Sequence, residues 1–113
     1  MLNNKSVKNN TEDYISNYLD RDHLLAQAAE ECSELAQACL KLIRVYDKVN
    51  PTTVSEEDAI NNLAEEAADV LLCVSVLVES GLISPEAIES YQIAKYERWL
   101  KRLENKENEE NGK

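Results

Sequence analysis

Glycine and proline are scarce in this chain, two of each in 113 residues, and no stretch alternates apolar and polar residues as a half-buried strand would. Turn-rich β architectures are thereby excluded, and the fold class expected is all-α. Histidine occurs once, at His23, and the three cysteines are scattered, so no zinc ligand set of the usual kind is present. Cys32 and Cys39 stand about 10 Å apart along one helix, too far for a disulfide, and with Cys73 they read as small core residues in a reducing compartment. No apolar run approaches the roughly 20 residues that span a bilayer. Residues 1–10 are polar and Asn-rich, with no apolar signal core, so a cytoplasmic address is expected. Cations are also in short supply. Lys and Arg number 12 against 22 Asp and Glu, a net charge of −10, which argues against a nucleic-acid partner because a phosphate backbone is bound by neutralising it.

What the chain does have is helix punctuation. A short amphipathic segment can begin after Thr11. A long helix follows from about Asp22 to Lys48 and is closed by Asn50-Pro51. Ser55 caps a second helix whose first turn is acidic and which runs to about Ser80, stopped by Gly81. Ser84-Pro85 opens a third that continues to about Leu103. Residues 1–10 and 104–113 read as disordered, the second as an acidic solvating tail, leaving one helical domain over 11–103. Neither end is expected to hold the function.

Two acidic motifs occupy equivalent places on the first two helices: Glu31-x-x-Glu34 and Glu66-x-x-Asp69. With Glu31 at zero on a helical wheel, Leu24, Ala28, Cys32, Leu35, Cys39, Leu42 and Tyr46 fall between roughly 20° and 100°, and Glu34 lies near about 300°. With Glu66 at zero, Ala59, Leu63, Ala67, Val70, Val74 and Leu77 take nearly the same arc and Asp69 again lies near about 300°. An antiparallel pairing of these helices brings both carboxylate pairs to one edge of the seam. Four carboxylates held together repel and lose hydration, so a cation is needed to compensate. Mg²⁺, which prefers hard oxygen ligands and keeps waters or phosphate in its remaining positions, is the expected occupant, with Mn²⁺ as its substitute. In a chain this acidic, matches such as Glu86-x-x-Glu89 and Glu104-x-x-Glu107 arise by composition, and a solvated acidic face is the competing interpretation.

The second helix is apolar around most of its circumference. Val70, Leu71, Leu72, Cys73, Val74, Val76, Leu77 and Val78 cannot all face two neighbours within one chain. Leu72 and Val76, opposite the main stripe, predict a partner subunit and a four-helix core completed by dimerisation, with a dimer of dimers as a further step. The third helix carries a stripe of Ile88, Tyr96, Trp99, Leu100 and Leu103. On its flank Lys95 and Arg98 are suited to a polyphosphate beside a metal, or are an ordinary surface pair. Lys41 and Arg44 are weaker candidates of the same kind.

Glu31-Cys32-Ser33-Glu34-Leu35, Glu66-Ala67-Ala68-Asp69-Val70-Leu71 and Lys95-Tyr96-Glu97-Arg98-Trp99 together resemble the MazG-like all-α nucleoside triphosphate pyrophosphohydrolases. That superfamily includes dimeric dUTPases, dCTP pyrophosphatases and phosphoribosyl-ATP pyrophosphohydrolases, and the small single-domain bacterial and phage members are the most similar. The resemblance covers residues 24–103. It implies an antiparallel helical bundle, Mg²⁺ held by Glu31, Glu34, Glu66 and Asp69, phosphate engaged by Lys95 and Arg98, and a water oriented or deprotonated by Glu31 or Glu34. It implies cleavage of a nucleoside triphosphate to monophosphate and pyrophosphate, as in cleansing of the nucleotide pool. A phosphoribosyl-ATP pyrophosphohydrolase-like enzyme and a non-enzymatic dimeric helical adaptor or regulatory protein are the alternatives. The segment between the motifs is longer than in compact members, which predicts an enlarged loop around residues 50–55. No short segment reads as a base pocket. Tyr91, Tyr96 and Trp99 can stack a base, but fit a core or interface better.

Overall fold

The computed structural model describes residues 13–112, and among them the chain is all-helical. A single 3-10 turn at Ile15–Asn17 is followed by α1 (Arg21–Asp47), α2 (Glu56–Glu79) and α3 (Pro85–Asn111). Among the described residues no helix is long and apolar enough to cross a membrane. The expected amphipathic segment after Thr11 is reduced to the 3-10 turn, and the segment 1–10 lies outside the described residues. Contacts divide the chain into two compact units, one ending at Leu82 and the other starting at Ile83, where one domain over 11–103 is expected from sequence.

Each helix begins on a side-chain cap. Asp20 accepts from the His23 backbone N–H at 3.0 Å and meets the His23 imidazole Nδ1 at 2.6 Å. That contact raises the imidazole above its ordinary proton affinity. Ser55 accepts from Asp58 N–H at 3.1 Å, and Ser84 from Ala87 N–H at 3.2 Å with Pro85 in the first helical position, each satisfying a donor the helix leaves orphaned.

The helix ends are equally specific. α1 stops at Lys48, in left-handed conformation with φ of 63°. The Arg44 guanidinium then ties down the connection, donating to the carbonyls of Asn50 at 3.4 Å and Pro51 at 3.2 Å. Arg44 is thus occupied by the loop. α2 ends at Gly81, φ 83°, where Leu82 N–H reaches Leu77 O at 3.3 Å and Gly81 N–H reaches Val78 O at 2.9 Å. This pair of bonds needs a residue free to adopt positive φ.

α3 continues through 104–111, where the sequence suggests a disordered tail. Glu and Lys are strong helix formers, and nothing breaks the run before Gly112.

α1 and α2 pack against each other along their length. They run antiparallel: Tyr46, late in α1, donates to Glu56, at the start of α2, at 3.2 Å, while Leu24, early in α1, shares a cavity with Val76, late in α2. Leu24, Ala38, Ala59, Val76 and Leu77 are buried. The two alanines, 1% and 0% exposed, let the backbones approach closely.

The packed face of α1 is turned from the apolar stripe toward Glu31 and Ala38, so Cys32 and Cys39 are exposed rather than core. Val76 also differs from expectation. It is buried within its own unit, where the 3-10 turn packs on α2, while Leu72 stays 56% exposed. α3 itself buries no residue.

Candidate metal centre

Glu31 stands on the packed face of α1 between Ala28 and Leu35, and Glu66 on that of α2 between Leu63 and Val70. Both are half-buried, as is Asp69, whereas Glu34 is exposed. Because the helices are antiparallel and the motifs share a phase, the carboxylates converge. Oxygens of Glu31, Glu34 and Glu66 lie within 4.8 Å of one another. Asp69 completes the group electrostatically, acting on both Glu31 and Glu66.

Glu31 Oε1 accepts from Gln27 Nε2 at 2.9 Å. Glu31 Oε2 and Glu66 Oε2 have lost contact with solvent and have no hydrogen-bond partner among the described residues. Burial, then Asp69 and Glu34, push the Glu31 carboxyl above the usual carboxylate range. Burial, then Glu34 and Asp69, do the same to Glu66. A buried acceptor without a donor is costly, and either a cation or a proton shared between carboxyls, Glu31 with Asp69 and Glu66 with Glu34, relieves that cost. The donor set is all hard oxygen, suited to Mg²⁺ or Mn²⁺ and unsuited to a soft metal. Cys73 lies at the edge of the group, and its thiol is pushed up by burial and then by Glu31 and Asp69. A soft sulfur also adds little to a hard-oxygen donor set.

Beside the carboxylates is a cavity of about 150 Å³. The 3-10 turn supplies Ile15 and the link to α1 supplies Leu19, α1 supplies Leu24 and Gln27, and α2 supplies Leu72, Cys73 and Val76, with Glu31 and Asp69 completing the lining. Gln27 and this cavity are absent from a sequence reading. The one available signal for Gln27 is its i, i+4 spacing to Glu31. The cavity has no local signature, because its walls come from three separated segments.

Lys95 and Arg98 are exposed on α3, in the second compact unit. Tyr91, Tyr96 and Trp99 are also exposed, at 66%, 67% and 59%, so within the described chain they are not core residues. Comparison with protein-family models, curated proteins and solved structures finds no match for this chain.

Proposed function

We propose that this chain is a Mg²⁺-dependent nucleoside triphosphate pyrophosphohydrolase of the MazG-like kind, working as a homodimer or a dimer of dimers in the cytoplasm. The observation that carries the proposal is the pair of buried, unpartnered oxygens of Glu31 and Glu66, within a cluster to which both acidic motifs contribute. Glu31, Glu34, Glu66 and Asp69 would hold the metal. Bound there, Mg²⁺ supplies charge neutralisation on phosphate oxygens and lowers the pKa of a coordinated water.

The side chains divide the remaining work. Gln27 holds the Glu31 carboxylate in place through Oε1. Glu34, the solvent-facing member, orients the attacking water and takes its proton. The water oxygen joins one phosphorus of the α–β anhydride, and the bridging oxygen leaves with the other, giving monophosphate and pyrophosphate. Lys95 and Arg98 engage the phosphates, Arg98 as a planar fork and Lys95 as a point charge. Self-association is supported by exposed apolar side chains on the paired helices: Leu25, Leu40 and Ile43 on α1 and Leu71 on α2. Those residues equally favour the competing interpretation, a non-enzymatic helical adaptor.

The experiment that separates the two is pyrophosphate release from a panel of standard, deoxy and damaged nucleoside triphosphates with Mg²⁺. Release that Glu34→Gln loses supports the enzyme. Absence of release from every nucleotide, with the chain folded and no Mg²⁺-dependent gain in Tm beyond that of matched salt, supports the adaptor.

A further inference from the structure

The broad face of the hairpin turned away from Glu34 and Asp69 is apolar and, among the described residues, uncovered. On α1, Leu25, Ala29, Cys32, Ala36, Cys39 and Ile43 follow one another by alternating steps of four and three, and all are exposed. They lie about 80–160° around the helix from Glu31, whereas Glu34 lies near about 300°. α2 repeats the spacing with Ile60, Ala64, Ala67, Leu71, Val74 and Val78, exposed or half-buried, over the same arc from Glu66. Because the helices are antiparallel, equal rotations from the two glutamates lead to one side of the hairpin. Steps of four and three make a seam that a facing helix fills.

A second copy of the chain fits this face, because the α1 seam is matched to itself. Turned end for end about Ala36, it sets Cys32 against Cys39, the small Ala29 against Ile43, and Leu25 against Tyr46, which continues the seam by three residues. A two-fold dimer needs such a self-complementary patch. The cross-helix steps of Leu24 with Val76, Gln27 with Cys73 and Glu31 with Asp69 place Ala36 level with Ala64, so both helices are slim where the axis would pass. Charge agrees. Each copy carries −10, yet this face of α1 has no charged residue between Asp22 and Asp47, so two copies repel least here. Two helices side by side over about 30 Å present roughly 600 Å² before side-chain relief, near the ~800 Å² that each partner gives to a standard interface.

The seam carries reactive groups at its centre. Within one chain Cys32 and Cys39 stand about 10 Å apart along α1, so a bond between them joins two copies. Helix axes about 8–10 Å apart, less two Cα radii of about 2.3 Å, leave about 3.5–5.5 Å across the seam. The offset of interleaved residues brings Cα pairs into the range of about 4.4–6.8 Å that a disulfide needs. Resting on the self-association in the proposed reading, and not on the hydrolysis, we infer that Cys32 of each copy and Cys39 of the other form a reversible inter-subunit disulfide across an antiparallel α1 pair. The oxidant is a small disulfide such as oxidised glutathione. One cysteine thiolate attacks it and displaces one thiol, and the facing thiolate attacks the mixed disulfide and displaces the second. Two protein thiols are oxidised to one disulfide and the reagent is reduced to two thiols, which take up the protons. The bond lies on the side of α1 away from Glu34, so it fixes the dimer and leaves the carboxylates open.

The test treats the full chain with oxidised glutathione and reads covalent dimer on a non-reducing gel, with sedimentation of the untreated chain alongside. Most of the wild type and of Cys73→Ser is expected to cross-link, to stay dimeric on hundredfold dilution and to separate with dithiothreitol. Cleavage after Glu34 puts the two cysteines on different peptides, and these should be recovered linked. Cys32→Ser and Cys39→Ser should each lose at least tenfold of the cross-link alone and regain it when mixed, because only the mixed dimer then has a facing Cys32 and Cys39. Cross-linking of either variant alone overturns the antiparallel pairing. Dimers in sedimentation without a cross-link overturn the thiol pair and leave self-association standing. Monomers at every concentration without a cross-link remove both, and assign the face to another segment of the same chain or to a different protein. Pyrophosphate release is read separately and decides none of these outcomes.

Discussion

The α1/α2 hairpin and α3 have opposite relations to their own apolar residues. The hairpin buries Leu24, Ala38, Ala59, Val76 and Leu77 and, in the same seam, half-buries three carboxylates. α3 is as long as α1 and buries none of its residues, although Trp99, Leu100 and Leu103 make a regular stripe. In the hairpin, tertiary contact decides which residues lose water. In α3 helix formation is local, carried by the Ser84-Pro85 start and a run of strong helix formers. The chemistry is divided in the same way, with the acidic groups strained by burial in the hairpin and the cations Lys95 and Arg98 relaxed in solvent on α3.

The largest expected effect breaks the acidic side of this contrast. Asp69→Asn removes a charge from the half-buried group, and pyrophosphate release is expected to fall by about a hundredfold or more. The Mg²⁺-dependent rise in Tm should disappear with it, because a ligand selective for the folded state stabilises only where it binds. An unchanged rise in the variant would refute the metal centre.

Packing separates the two units next. Ala59→Leu forces a larger side chain into a fully buried position of the hairpin and is expected to cost about 1–3 kcal/mol in denaturant unfolding. Trp99→Ala in α3 is expected to change stability by less than about 0.5 kcal/mol in dilute solution and to weaken self-association measured by sedimentation. A large loss at every protein concentration would show that Trp99 is covered within one chain. Ser55→Ala, which removes the cap of α2, should cost about 1 kcal/mol in the same unfolding experiment.

The smallest effect is on pH dependence. Glu31 and Glu66 bind a proton more tightly folded than unfolded, so they favour the folded state below their ordinary value of 4.5. That advantage is lost as pH rises through their raised values. Without divalent metal, Tm should decline as pH rises above that value, and Mg²⁺ or Glu31→Gln should flatten the decline. His23, also raised, contributes in the same direction nearer neutrality and is unaffected by Glu31→Gln. Asp20 is lowered by its bonds to His23 and acts only at more acid pH.

Helix number, most boundaries and the pairing of the two acidic motifs were legible in the residues. Ser55, Ser84-Pro85 and Gly81 act through bonds a few residues long, and a common phase on two antiparallel helices is enough to bring Glu31, Glu34 and Glu66 together. The rest was not legible. The wheel places Cys32 and Cys39 within the apolar stripe, but the centre of a packed face depends on the opposing helix, and close contact at Ala38 and Ala59 turned it toward Glu31. Val76 suggested an intersubunit face because the short segment expected after Thr11 carries no signal of which helix face it packs on.

From sequence alone, local chemistry determined that this chain is helical, where its helices begin, and that its acids recur in register, since caps, propensity and the 3.6-residue period operate within a few turns. Only the tertiary structure decided which carboxylate oxygens lose water without gaining a partner among the described residues, and that a cavity of about 150 Å³ stands next to them. Those properties belong to atoms from separated segments, and no single segment encodes the space between them.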